Sequence, residues 1–222
     1  MARWFPVARG AELEPRHIAQ AQLLGREIAL WRSDAGAVNA WENRCPHRGV
    51  RLSIGYNTGS EVRCQYHGWR FAAGSGQCTL IPAHPTQKPA SSIRVGVYAA
   101  VERYHLVWVS LDAQAGVADE PTASELGLNG VPEGREDMTL RGVFVNASAE
   151  VVSGALLKRY RADEATFVLQ PVSDGQTVIH GLLPPDAFAA DRLSVLRHHN
   201  TRLSQIRDEL EAATRAGRSG RP

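Results

Sequence analysis

Two short segments constrain this chain more than any other feature: Cys45-Pro46-His47-Arg48-Gly49 and Cys64-Gln65-Tyr66-His67-Gly68-Trp69. Each offers one thiol and one imidazole, as Cys-x-His in the first and Cys-x-x-His in the second, with sixteen residues between them. Gly49 and Gly68 let each backbone bend tightly. Such a pair of loops can bind metal with little help from the rest of a fold. Two arrangements compete. One Zn²⁺ accepts two Cys and two His in a tetrahedron, but zinc-finger spacing pairs Cys with Cys and His with His. Here each loop supplies one of each. That suits a two-iron centre with the thiolates on one iron and the imidazoles on the other.

The ligand pattern is of Rieske type, and Cys45, His47, Cys64 and His67 are the expected ligands of a [2Fe-2S] cluster. Neutral imidazoles leave such a cluster less negative than four thiolates would, which puts its potential at roughly −150 to +300 mV. Hydrogen bonds to the sulfurs set the place within that range.

From Trp4 to about Leu111 the chain resembles the N-terminal domain of Rieske non-haem iron oxygenases, the vanillate demethylase type of oxygenase component in particular. Besides the two loops, the resemblance rests on Leu24-Gly25-Arg26, Asn43-Arg44, Leu52-Ser53, Gly76-Gln77-Cys78, Ile81-Pro82 and Glu102-Arg103-Tyr104. It implies a small antiparallel β domain with the cluster at its tip. Gln65 stands where the family usually has Pro, at a position that is not a ligand. Respiratory Rieske proteins resemble this pattern but carry a further cysteine in each loop, joined as a disulfide. Here Val50 occupies such a position, and Gly68 stands where the respiratory type tends to have a serine. Both point to the lower-potential oxygenase or ferredoxin type. Cys78 fits no ligand slot and is expected to be a structural thiol.

The expected fold class is α+β: an all-β Rieske domain over 1–112, a linker over 113–138, and a small α/β remnant of an oxygenase catalytic domain over 139–222. In the first of these, the apolar runs Leu23-Leu24, Ile28 to Trp31, Val38 to Trp41, Trp69 to Phe71, Val95 to Val101 and Leu106 to Val109 read as strands punctuated by turns. Residues 112 to 137 lack periodicity and read as a linker or long loop. Beyond them, Thr139 to Val145 reads as a strand. Ala147 to Tyr160 reads as a helix, with Val151, Ala155, Leu156 and Arg159 at helical spacing. Thr166 to Leu169 and Thr177 to His180 read as a hairpin around Asp174-Gly175. Pro184-Pro185-Asp186 introduces a last helix whose apolar face is Leu193, Leu196, Leu203, Ile206 and Leu210, with 215–222 expected to fray.

An oxygenase of this family also binds a mononuclear iron through two histidines and a carboxylate, usually as Asp-x-x-His with another His soon after. The chain has no such motif. After residue 112 its histidines are His180, His198 and His199, none with an acid three residues before it. All three read as structural or surface groups. Arg141 to Val145 and Ala149 to Val152 resemble the entry to the catalytic domain, and Phe167 to His180 and Leu196 to Glu211 resemble its end. The resemblance therefore implies a catalytic domain shortened in its middle and lacking its iron.

The net charge of +2 excludes nucleic acid as a main partner. No apolar run approaches the roughly 18 residues of a membrane span. The N-terminus has no apolar signal region, and the cytoplasm is the expected compartment. The expected function is electron transfer in an oxygenase system, from a reductase or ferredoxin to a mononuclear iron on a partner subunit. A homo- or hetero-oligomer fits that role. Two other readings stay open at this point: a complete monooxygenase or O-demethylase acting on a small aromatic substrate, and a non-redox zinc module. Arg44, Arg48, Arg51, Arg63 and Arg70 cluster near the loops and could buffer cluster charge, receive an acidic donor, or simply form ion pairs within the domain.

Overall fold

The structure, a computed structural model, describes residues 2–112, 120–133, 139–184, 187 and 191–219. Cα packing divides the chain into two units, one of Met1–Gln22, Arg26–Arg103 and Val107–Pro121, the other of Leu23–Gly25, Tyr104–Leu106 and Thr122–Pro222.

Ten strands precede residue 112: Phe5–Arg9 (β1), Ile18–Leu23 (β2), Arg26–Arg32 (β3), Val38–Glu42 (β4), Tyr56–Asn57 (β5), Glu61–Arg63 (β6), Arg70–Ala72 (β7), Cys78–Leu80 (β8), Val97–Arg103 (β9) and Leu106–Ser110 (β10). They form a six-stranded sheet in the order β1-β10-β9-β4-β3-β2 and a four-stranded sheet in the order β5-β6-β7-β8. The run at Val38 to Trp41 is a strand because it pairs antiparallel with β3, Leu30 opposite Ala40 and Trp31 opposite Asn39. Alternate residues of β2, β3 and β4 (Ile18, Ala29, Trp31 and Trp41) meet Val62, Phe71 and Cys78 of the smaller sheet in one buried core. Trp31 and Trp41 pack edge to face within it, centroids 5.0 Å apart. Cys45 and Cys64 belong to that same core.

Leu24, expected to extend a strand, lies in the two-residue turn between β2 and β3. Both turn residues have positive φ, 49° at Leu24 and 78° at Gly25. Such turns match the twist of a hairpin, and that requirement outweighs the apolar side chain. Trp69 likewise precedes β7, and Val95 precedes β9.

The second unit holds Val143–Val145 (β11), Ala149–Arg159 (α1), Thr166–Ser173 (β12), Gln176–Leu182 (β13) and Arg192–Ser219 (α2). Its three strands run in the order β11-β13-β12, with Ser173 opposite Gln176 across Asp174-Gly175 as the hairpin reading requires. The strand expected from Thr139 is shorter: Thr139 makes only an isolated bridge to Leu182. Ser148 caps α1 by accepting from the Val151 backbone N–H. The cap sets the helix phase, so Val152 and Leu156 are buried while Val151 is half exposed. In α2 the buried residues include Leu203 and Ile206, whereas Leu193 is exposed and leaves the expected apolar face. The expected fraying from 215 is not seen through Ser219; 220–222 lie outside the described residues. Of the Pro184-Pro185-Asp186 turn only Pro184 is described. Residues 113–119 and 134–138 of the expected linker also lie outside the described residues, while Leu126 and Leu128 within it are buried. Among the described residues no helix is long and apolar enough to cross a membrane.

Candidate metal centre

The two Cys/His segments fold as near-copies of one loop. In the first, the Cys45 N–H donates to the Val50 carbonyl at 2.8 Å and the Gly49 N–H donates to the Cys45 carbonyl at 2.8 Å. In the second, the Cys64 N–H donates to the Trp69 carbonyl at 2.8 Å and the Gly68 N–H to the Cys64 carbonyl at 3.1 Å. Gly49 and Gly68 close the two loops at φ of 70° and 71°. The histidine occupies a different place in each copy. Tyr66 stands where the first loop has His47, and His67 stands where it has Arg48.

Gly68 is the tighter of the two closures, since a methyl group there would lie 3.2 Å from Pro82 Cγ. Gly68→Ala is expected to destabilise the protein by about 1–2 kcal/mol through the left-handed backbone alone. Thermal unfolding of variant and wild type checks this, and equal midpoints would contradict it.

Neighbouring elements hold the loops in place. Asn43 follows β4 and is fully buried. Its side chain accepts from the Ser53 backbone N–H at 2.8 Å and donates to the Ser53 hydroxyl at 3.0 Å, tying the start of the first loop to the segment after it. Glu27 of β3 bonds Arg51 Nε at 3.0 Å and Arg44 at 2.8 Å, so one carboxylate bridges both ends of that loop. The Arg51 hydrogen bond holds the Glu27 carboxyl below the usual carboxylate range, and the charges of Arg44 and Arg51 add to this. A carboxylate with a lowered folded-state pKa stabilises the fold above its unfolded pKa and loses that contribution as pH falls through the folded value. Glu27→Gln is therefore expected to flatten the decline in thermal midpoint from about pH 5 downward. Parallel acid curves for wild type and variant would contradict the clamp.

The four candidate ligands separate into two pairs. Cys45 and Cys64 are each 3% exposed. Burial pushes the Cys45 thiol up, and the neighbouring Cys64 sulfur adds to the effect. A buried Cys45 thiol beside a second sulfur calls for a strong positive charge to become a thiolate, and a metal supplies one. The imidazoles lie on the outer side: His47 is partly buried, His67 is exposed, and their rings are 4.7 Å apart at 62°. Burial pulls His47 toward the neutral form, the form that ligates metal. Trp69 stacks flat on His47 at 4.4 Å and 6°, and Tyr66 lies against His67 at 3.8 Å. A buried sulfur pair with an outer imidazole pair fits a cluster whose two irons take different ligands.

The sequence motif singles out these four positions but not the contacts that support them. Asn43 and Trp69 enter through the resemblance alone, and the Asn43–Ser53 bonds, the Glu27 bridge and the stacking of Trp69 on His47 carry no pattern of their own. The clue that Trp69 abuts the second loop was only its adjacency to Gly68. Cys78 is buried in β8, its thiol pushed up by burial.

The second unit's histidines do not gather at one site. His180 is buried in β13, with Nε2 3.0 Å from Gln170 Oε1. His199 is buried and stacks on Tyr160 at 5.8 Å, whereas His198 is exposed, its ring near-perpendicular to that of His199.

Residues 3–101 match the family model described as the Rieske [2Fe-2S] domain. Residues 3–101 therefore form a Rieske domain with a [2Fe-2S] cluster as its cofactor, and the relatives the chain matches include oxygenase components. It is 50% identical over 114 residues to the oxidoreductase NdmD of Pseudomonas putida, covering 51% of this chain and 19% of that one. It is 34% identical over 137 residues to the oxygenase subunit of 3-chlorobenzoate-3,4-dioxygenase from Comamonas testosteroni, covering 61% of this chain and 31% of that one. The chain thus spans a third or less of these two relatives. Among solved structures, dicamba monooxygenase bound to dicamba matches with a TM-score of 0.72 at 18% identity, over 100% of this chain and 91% of that one. At that identity the likeness shows the fold alone, an all-β Rieske domain followed by a small α+β region.

Proposed function

We propose that this chain is the electron-transfer component of an oxygenase system. It takes single electrons from a reductase or ferredoxin and passes them to a mononuclear iron that lies outside these 222 residues. The observation that carries the reading is the contrast between the two units. The first brings two thiols and two imidazoles together on paired loops, whereas in the second His180 meets Gln170 and His199 stacks on Tyr160.

Cys45 and Cys64 would hold the inner iron, and His47 and His67 the outer one. The cluster, when bound, supplies a reversible one-electron couple. The residues of this chain do the rest. The core around Phe71 keeps water from the sulfurs, Trp69 and Tyr66 fix the imidazole planes, and the exposed edge of His67 brings the centre within reach of a partner. Residues 139–222, joined to the Rieske domain of residues 1–112 through the segment 113–138, would serve as a docking or oligomerisation platform. The cytoplasm suits a chain whose three cysteines form no disulfide, because reducing pools there keep thiols reduced.

The test combines a redox titration with turnover. The holo-chain is expected to accept one electron from an NADH-linked reductase and to form no oxidised product from methylated aromatics under O₂. Adding an oxygenase component that holds mononuclear iron should restore product. Product formed by this chain and a reductase alone would contradict the proposal.

A further inference from the structure

The surface beside the paired loops has an uneven charge. Between residues 43 and 70 the chain has Arg44, Arg48, Arg51, Arg63 and Arg70 against one acid, Glu61. Glu27 takes up Arg44 and Arg51, and Glu61 lies 3.7 Å from Arg70. Arg48 and Arg63 have no carboxylate partner among the described residues, and both are exposed. Arg48 directly follows the outer ligand candidate His47. Arg63 is held by a ring rather than a charge, its guanidinium 4.5 Å above Tyr56. Apolar surface accompanies these cations: Tyr66 is 63% exposed against His67, and Ile54 and Tyr56 are each about half exposed.

We propose that this face docks an acidic protein that exchanges electrons with the chain, with Arg48 and Arg63 steering its approach and Tyr66 anchoring it beside His67. The inference rests on the electron-transfer reading and adds the location and chemistry of the partner's contact. Uncompensated cations beside an exposed redox edge raise the encounter rate with an anionic surface. Tyrosine and arginine are the side chains that most often carry binding energy in interfaces. Two unpaired arginines are too few for an anionic membrane, where clusters of about 4–8 basic residues are the rule. The balanced charge of the whole chain argues equally against nucleic acid. In the transfer the donor loses the one electron that this chain gains, and no proton or bond change is required.

The test uses the full holo-chain and a reduced plant-type [2Fe-2S] ferredoxin, an acidic one-electron donor, in stopped flow. The second-order rate constant is expected to fall at least ~10-fold between about 20 and 300 mM salt. Arg48→Glu/Arg63→Glu should lose at least ~10-fold at low salt and converge with wild type near ~0.5 M salt, where steering is screened. Tyr66→Ala should be slower at every salt concentration, and Tyr66→Phe should recover the wild-type rate. A rate insensitive to salt or to the double substitution overturns the proposal. So does a deficit of the double arginine variant that persists at high salt, or a shifted midpoint potential in any of the variants, which would mean a changed driving force in place of docking. Arginine-dependent binding to phosphatidylserine vesicles or DNA, with the ferredoxin rate unaltered, overturns it as well. Reduction by dithionite separates the two levels. If dithionite reduces the chain and the arginines do not matter, only the docking surface falls. If dithionite fails to reduce it, the electron-transfer reading falls too.

Discussion

Cys64→Ser is expected to yield a protein without colour, with iron and acid-labile sulfide near zero per chain. The substitution keeps the backbone, so the Cys64 N–H can still donate to the Trp69 carbonyl and the loop can close. What it removes is the soft ligand. A serine hydroxyl ionises far less readily than a thiol, and Fe–S clusters are held by thiolate sulfur. The inner iron would keep only Cys45, and the cluster would not assemble. Cys78 is the internal control. It is as buried as Cys64, but its sulfur faces the Leu80 carbonyl at 3.7 Å. Cys78→Ala should therefore keep the full visible spectrum and lose only a little stability. Equal loss of colour in both variants would show that general unfolding, and not ligation, explains the effect.

Phe71→Ala is expected to destabilise the protein by about 3–5 kcal/mol, the usual cost of deleting a buried aromatic ring. Phe71 is fully buried in β7, pairs with Val62 of β6 and shares a core with Trp41, Cys45, Cys64 and Cys78. The cavity would open in the core that Cys45 and Cys64 share. Domains are stable by only ~5–15 kcal/mol, so this is a large fraction of the total. Because a cluster binds the folded state alone, weakening that state also weakens cluster retention. Denaturant unfolding of the apo-protein should show the loss directly, and holo-Phe71→Ala should bleach faster than wild type in dilute denaturant. An apo-protein midpoint indistinguishable from wild type would mean that the core beneath the loops is not what supports them.

The loops were legible in the sequence because their chemistry admits few residue types. Thiols, imidazoles and closing glycines leave a pattern that survives without knowledge of the fold. Much of the β framework was not legible. Tyr56–Asn57, Glu61–Arg63 and Cys78–Leu80 are too short to show alternation, and each exists because a neighbouring strand pairs with it. Phe5–Arg9 contains a proline and reads poorly as a strand, yet it forms an edge of the larger sheet, where a missing N–H is tolerated. Leu24 shows the opposite error: an apolar residue that reads as strand is recruited into a turn that fixes φ. Val151 and Leu193 fall on the wrong side of their helices because spacing gives a period but not a phase. Caps and neighbouring packing set the phase. The supports of the site were hidden for another reason. The hydrogen bonds of Asn43 to Ser53 and the Glu27 bridge between Arg44 and Arg51 join residues brought close only by folding.

The contrast between a complete pair of loops and scattered histidines yields a stoichiometry. Iron and acid-labile sulfide should be counted on the pure, reconstituted chain, with the reduced protein's electron paramagnetic resonance recorded on the same sample. The account predicts about two irons and two sulfides per chain, with one rhombic signal from a cluster of mixed sulfur and imidazole ligation. A third iron per chain would contradict the relay and favour a complete oxygenase. One zinc with no sulfide would contradict the cluster itself.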